Sequence, residues 1–135
     1  MEKETLKRMF DFLEKEENRK KPFIYKLKFN ELITKEELVV DGDLNLRESK
    51  IESLPEGLKV GRVLDLTQSD IKTLPEGLDV GHTLWLLGCW GLTSLPKGLK
   101  VGGSLYIYRT KLEKYSDQEL REMVYPGFIK GEIRR

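Results

Sequence analysis

From about residue 38 to residue 115, apolar and polar positions follow one phrase that returns at a nearly fixed distance. Ser53-Leu-Pro-Glu-Gly-Leu-Lys-Val-Gly61 comes back as Thr73-Leu-Pro-Glu-Gly-Leu-Asp-Val-Gly81 and as Ser94-Leu-Pro-Lys-Gly-Leu-Lys-Val-Gly102. Its first leucine recurs after 20 and then 21 residues. Each Val-Gly leads into an alternating run, Leu64-Asp65-Leu66, Leu84-Trp85-Leu86 and Leu105-Tyr106-Ile107, and a leading copy, Val40 to Leu46, lacks the preceding Leu-Pro. Alternation puts both apolar residues on one face of a short strand and the middle residue on the other. The registered copies predict strands near 43–47, 63–67, 83–87 and 104–108, parallel and in that spatial order.

The rest of each repeat reads as a return path. Ile51, Ile71, Leu92 and Leu112 follow the strands and are expected to turn inward. Pro55, Pro75 and Pro96 fix φ and donate no hydrogen bond, which favours an extended return over another strand. Gly57, Gly77 and Gly98 provide the bend, with φ expected above zero. Leu58, Leu78 and Leu99, with Val40, Val60, Val80 and Val101, then point back to the interior. So short a return leaves no room for a helix, and the strands of successive flat coils stack about 4.8 Å apart. Ser49, Ser69 and Thr110 share one place before the inward Ile or Leu, where a hydroxyl can satisfy the backbone of a tight turn.

No single repeat buries its own leucines, so the open ends of the stack need covering. Residues from about Lys3 to Asn18 have Leu6, Met9, Phe10 and Leu13 on one helical face. Pro22 breaks that pattern, and Phe23, Tyr25, Leu27 and Phe29 then alternate as in a strand. Thr34-Lys-Glu-Glu37 has capping-box spacing, as does Ser116-Asp-Gln-Glu119, which opens a helix through about Val124. Leu120, Met123 and Val124 can cover the final coil; Pro126-Gly127 ends the helix, and residues 128–135 read as a short strand or tail. The expected organisation is an N-terminal cap over 1–37, repeats over 38–115 and a C-terminal cap over 116–135.

In these motifs the chain resembles leucine-rich-repeat proteins, specifically short bacterial and phage-encoded arrays with repeats like L-P-x-G-L-x-V-G-x-x-L-x-L. The resemblance covers residues 38–115, and the longer copy Gly88-Cys-Trp-Gly-Leu-Thr-Ser-Leu-Pro96 is similar to a variant that recurs in such arrays. It implies an α/β single-domain solenoid, right-handed, with a short parallel sheet on its concave side and helical caps at both ends. It also implies protein binding through that concave face. A phage-encoded inhibitor or adaptor directed at a host protein is the expectation this family context adds.

Composition narrows the chemistry. Twenty-four Lys and Arg balance 23 Asp and Glu, whereas proteins whose main ligand is nucleic acid need a basic excess to displace counterions. Cys89 is the sole cysteine, so there is neither a disulfide framework nor a cysteine zinc site. This suits a reducing cytoplasm. No apolar run approaches bilayer length, so no membrane role is expected. No phosphate-loop or dinucleotide pattern occurs, and Cys89 with the single histidine, His82, lacks the third group and oxyanion donors of nucleophilic catalysis. No enzyme activity, metal or cofactor is expected.

The residues between the leucines carry the functional information. The outward rows are Asp43, Val63, Thr83, Ser104; Asn45, Asp65, Trp85, Tyr106; and Arg47, Thr67, Leu87, Tyr108, with Trp90 in the adjacent expanded turn. Polarity is graded: the first two strands show small polar and charged groups, the last two Trp85, Leu87, Tyr106 and Tyr108. Large rigid aromatics ringed by polar residues are what an interface hot spot requires. The candidate partner-binding set is therefore Trp85, Leu87, Trp90, Tyr106, Tyr108, Asp65, Asn45 and Arg47. The competing reading has Trp85 and Tyr106 packing on each other or lying beneath the C-terminal tail. A homodimer or assembly protein joined through Phe128–Ile133 or an aromatic face is the alternative function; an enzyme accessory subunit is a third.

Deleting residues 1–20 is expected to lower the melting temperature markedly, because losing Leu6, Phe10 and Leu13 from a capping face costs several kcal/mol, about 1.5–3 for each buried side chain. An unchanged melting temperature would show that the segment does not cap the repeats.

Overall fold

The alternation of the repeats winds the chain into a parallel-strand solenoid in a computed structural model, which describes residue 34 and residues 36–135. The helix expected over Lys3–Asn18 and the strand expected over residues 23–30 lie outside the described residues. A 3-10 turn over Glu36–Leu38 leads into β1 (Val39–Val40) and β2 (Leu44–Asn45). The repeats continue with β3 (Lys59–Val60), β4 (Leu64–Asp65), β5 (Asp79–Val80), β6 (Leu84–Trp85), β7 (Lys100–Val101) and β8 (Leu105–Tyr106). A 3-10 turn over Lys111–Lys114 and helix α1 (Asp117–Val124) then precede β9 (Phe128–Ile129) and β10 (Ile133–Arg134).

The strands form two parallel sheets, ordered β1-β3-β5-β7-β9 and β2-β4-β6-β8-β10. The second holds the four Leu-x-Leu runs in the expected order, with Leu44, Leu64, Leu84 and Leu105 in register. Its regular strands are shorter than the five-residue spans expected, although coil-to-coil bonding continues past them, with Leu46 N–H donating to Asp65 O and Glu48 N–H to Thr67 O, both at 2.8 Å.

The other sheet corrects the reading of the return path. Proline governs only the segment before the bend. Once Gly57, Gly77 and Gly98 have turned the chain at φ of 84°, 73° and 77°, every following residue has a free N–H. Gly81 N–H donates to Val60 O and Gly102 N–H to Val80 O, at 2.7 and 2.8 Å. Each coil thus contributes two strands, and the valines thought to mark only a return are sheet residues whose side chains face the core.

Between the sheets the inward rows close completely. Leu46, Leu66, Leu86 and Ile107, Leu58, Leu78 and Leu99, and Ile71, Leu92 and Leu112 are fully or almost fully buried. Full burial of one such side chain stabilises by roughly 1.5–3 kcal/mol. Stacking supplies it, since each leucine is covered by its equivalents in neighbouring coils.

The C-terminal segment does more than cap. Ile129 and Ile133 repeat the spacing of Val101 and Leu105 and pair with them, so β9 and β10 extend both sheets. Helix α1 replaces the Leu-Pro stretch of this last coil. Its capping box is formed: Ser116 Oγ accepts from Glu119 N–H, and Glu119 accepts from Ser116 N–H, both at 3.1 Å. Leu120 and Val124 are buried, while the Arg121 guanidinium donates to the carbonyls of Ile129 and Gly131. At the other end Thr34 and Glu37 make the reciprocal capping bonds, at 3.2 and 3.3 Å.

The glycine after each valine is set by the distance between coils. A Cβ on Gly61, Gly81 or Gly102 would lie 2.4, 2.1 or 2.2 Å from the carbonyl oxygen of the coil before it, closer than any real contact. A Cβ on Gly42 would meet nothing within 4 Å. Gly81→Ala is therefore expected to destabilise by about 1–3 kcal/mol or more, the scale of overpacking, and Gly42→Ala to change little. Urea unfolding of both variants checks this, and equal effects would contradict it.

Candidate functional site

Parallel in-register strands place equivalent side chains in straight rows along the solenoid. Asn45, Asp65, Trp85, Tyr106 and Arg134 are successive partners in one such row. The rings of Trp85 and Tyr106 stack with centroids 3.9 Å apart and planes 12° from parallel. Neighbouring strands are about 4.8 Å apart, so rings stacked in this way stand upright on the sheet. One face of each ring lies against the other, on the side of the sheet opposite the buried Leu84 and Leu105. Both are half-buried, so the competing expectation that the two pack on each other describes part of what they do.

The next row is Arg47, Thr67, Leu87, Tyr108. Leu87 is half-buried, and Tyr108 is 48% exposed, with the Arg109 guanidinium carbon 5.4 Å from its ring centroid. Trp85, Leu87, Tyr106 and Tyr108 therefore occupy adjacent positions on two neighbouring strands and their continuations. Trp90 stands apart from that group, 60% exposed in the turn after β6.

The polar half of the face has a different occupation. Asn45 Oδ1 accepts from Arg47 N–H at 3.1 Å, and Asp65 Oδ1 accepts from Thr67 N–H at 3.0 Å and from the Thr67 hydroxyl. These side chains finish their strands by satisfying the amide two residues on, the local bonding that Asn and Asp favour at turns. Arg47 Nε lies 3.7 Å from Asp65 Oδ2, and Arg62 pairs with Asp43 at 3.9 Å. Asn45, Asp65 and Arg47 are thus engaged in hydrogen bonds and ion pairs within the face, whereas Trp85 and Tyr106 meet through their rings and Tyr108 lies beneath the Arg109 guanidinium.

Two positions differ from the sequence expectation. Thr83, placed in an outward row, is 7% exposed, and its hydroxyl is 2.8 Å from His82 Nδ1. Arg134, in the segment expected as a short strand or tail and outside the outward rows, adjoins Tyr106 in the row and pairs with Glu132 at 2.7 Å. The spacing Ile129-x-x-x-Ile133, shared with every earlier Val-x-x-x-Leu, was the signal for it.

Beneath the turns runs a row of small polar side chains: Ser49, Ser69, Cys89 and Thr110. Thr110 does what was expected of a hydroxyl here, donating to Ile107 O at 2.6 Å and accepting from Leu112 N–H at 3.2 Å. Ser69 instead lies 3.7 Å from Cys89 Sγ, and Ser49 Oγ is buried without a partner among the described residues. Cys89 is the member of this row that the longer third repeat disguises. Its thiol donates to Leu66 O at 3.0 Å, and burial pushes its pKa above the ordinary 9.0, a shift only partly offset by the bond to Ser69. A buried, protonated thiol held by a carbonyl is not an activated nucleophile.

Among the described residues no group of His, Cys, Asp and Glu is arranged to hold a metal ion, and no helix is long and apolar enough to cross a membrane. Compared with models of protein families, with curated proteins and with solved structures, the chain shows no match.

The raised thiol pKa has a signed consequence. The unfolded chain loses the thiol proton first, so Cys89 contributes fully to stability below its ordinary pKa and progressively less as pH rises above it. Urea unfolding at pH 7 and pH 10 should show a smaller loss of stability for Cys89→Ser than for the wild-type protein. Equal losses would mean that the thiol titrates as freely as in the unfolded chain.

Proposed function

We propose that the protein is a leucine-rich-repeat binding module that engages a protein partner through the strand face carrying Trp85, Leu87, Tyr106 and Tyr108. The observation that carries this reading is the Trp85–Tyr106 stack in an outward row, flanked by an exposed Tyr108. Contiguous aromatic surface of this kind is uncommon on a protein that uses it for nothing. Stacking holds the two ring bodies rigid, and large rigid aromatics that also carry a hydrogen-bonding group are enriched at hot spots.

The charges around the patch favour an uncharged contact at its centre, since Arg47, Arg62 and Arg134 each lie against a carboxylate of the same face. The protein acts without catalysis, cofactor or metal, as an inhibitor or adaptor of the kind that phage-like arrays with this repeat suggest. The lone buried Cys89 accords with the reducing cytoplasm. The polar residues Asn45, Asp65 and Arg47 shape the rim, contributing more to selectivity than to affinity.

The test is capture of binding proteins from candidate host lysate with the wild-type chain and with Trp85→Ala, followed by affinity measurement on the purified partner. Trp85→Ala and Tyr106→Ala should each weaken binding by about 2 kcal/mol or more, and Asn45→Ala by clearly less. A partner held with wild-type affinity by both aromatic variants would place its interface elsewhere.

A further inference from the structure

The exposed Trp90 belongs to a second feature, created by the extra residue of the third repeat. In the shorter preceding turn the backbone stays bonded to the coil before it: Asp70 N–H donates to Ser49 O at 3.1 Å and Lys72 N–H to Glu52 O at 2.8 Å. In the longer turn this ladder stops. Trp90 N–H turns back to Gly88 O at 3.0 Å and Leu92 N–H to Cys89 O at 3.3 Å. Beside this turn lies a cleft of about 410 Å³ that Trp90 lines. Its narrow end is kept by glycine: a Cβ on Gly88 would come within 3.0 Å of Gln68 Cγ, and one on Gly91 within 3.1 Å of Ile71 O.

Three charged side chains line the cleft, Glu52, Asp70 and Lys72. Lys72 Nζ is 3.3 Å from Glu52 Oε1, so those two charges compensate each other. The Asp70 carboxylate has no such partner among the described residues, and the cleft keeps a formal excess of one negative charge. An indole beside an unpaired carboxylate attracts a cation on two counts, through the ring quadrupole and through charge. Among cations, guanidinium is planar enough to lie on an indole while donating two hydrogen bonds to one carboxylate. The volume exceeds a lone guanidinium and suits one carried on a side chain with some of its backbone, within the usual range of ligand clefts.

We infer that the cleft between Trp90 and Asp70 is a binding site for an arginine side chain presented by a peptide. It is separate from the stacked aromatic row and independent of what that row binds.

Acetyl-Gly-Arg-Gly-amide is the probe, with the citrulline peptide as its uncharged counterpart and free arginine amide as the small cation. Calorimetry gives affinities, and the two indole N–H resonances of the protein locate the site. The arginine peptide should bind saturably and shift the Trp90 indole while leaving that of Trp85 in place. Citrulline should weaken binding by roughly tenfold or more, as should Asp70→Asn and Trp90→Ala, given the strength of cation–π contacts on tryptophan. The unmoved Trp85 resonance reports that each variant is folded. Equal affinity for the citrulline peptide, undiminished binding by Trp90→Ala, or free arginine amide binding as tightly as the peptide would overturn the assignment.

Discussion

Where Gly81 crosses Gly61, the carbonyl oxygen of one coil occupies the space that a side chain of the next would need. The same crossing recurs between Gly61 and Asp41 and between Gly102 and Gly81, and the backbone bonds on either side of it fix how one coil lies on another. Much else depends on this approach. It holds Val60, Val80 and Val101 in one inward row and, four residues later, Leu64, Leu84 and Leu105 in another. Because the spacing between these rows is constant, the outward residues are also in line. Trp85 meets Tyr106 face to face because two glycines upstream let their strands stand side by side.

The strand Leu84–Trp85 shows how closely core and surface positions are interleaved. Leu84 is fully buried and held by neighbours above and below, so any polar replacement strikes the core. Trp85, one residue on, leans on a single ring and faces away. Coil length adjusts this division. One added residue leaves the two sheets in register, since β6 still pairs with β8, but it turns the Trp90 and Leu92 amides back into their own turn and leaves Trp90 exposed. A solenoid can therefore acquire a new surface feature by changing a turn while its core rows stay intact, as expected when each repeat contacts only its neighbours.

Much of this was legible in the chain. Leu-x-Leu runs at constant spacing carry period and register together, so strand order, the inward leucines and the outward Trp85 and Tyr106 followed from pattern alone. The second sheet was not, because proline and glycine in the return path suggested irregular chain, whereas their influence ends at the bend. The final coil was hidden for a related reason: helix α1 stands where its Leu-Pro phrase would be, and only Ile129 and Ile133 retain the spacing. Cys89 escaped the row of Ser49, Ser69 and Thr110 because the inserted residue moves it one place from its inward leucine. The stack of Trp85 on Tyr106 could be located but not oriented, since ring planes depend on the distance between coils and not on residue type.

The central claim is that neighbours on one short strand divide core from surface, and equilibrium unfolding of Leu84→Ala and Trp85→Ala tests it most directly. Leu84→Ala opens a cavity between coils and should cost about 2–5 kcal/mol. Trp85→Ala removes one aromatic stack, worth about 0.5–1.5 kcal/mol beyond area burial, from a side chain that is only half-buried. A clear excess for Leu84 is the predicted result. Equal losses, or a larger one for Trp85, would make the tryptophan part of the core and contradict the account.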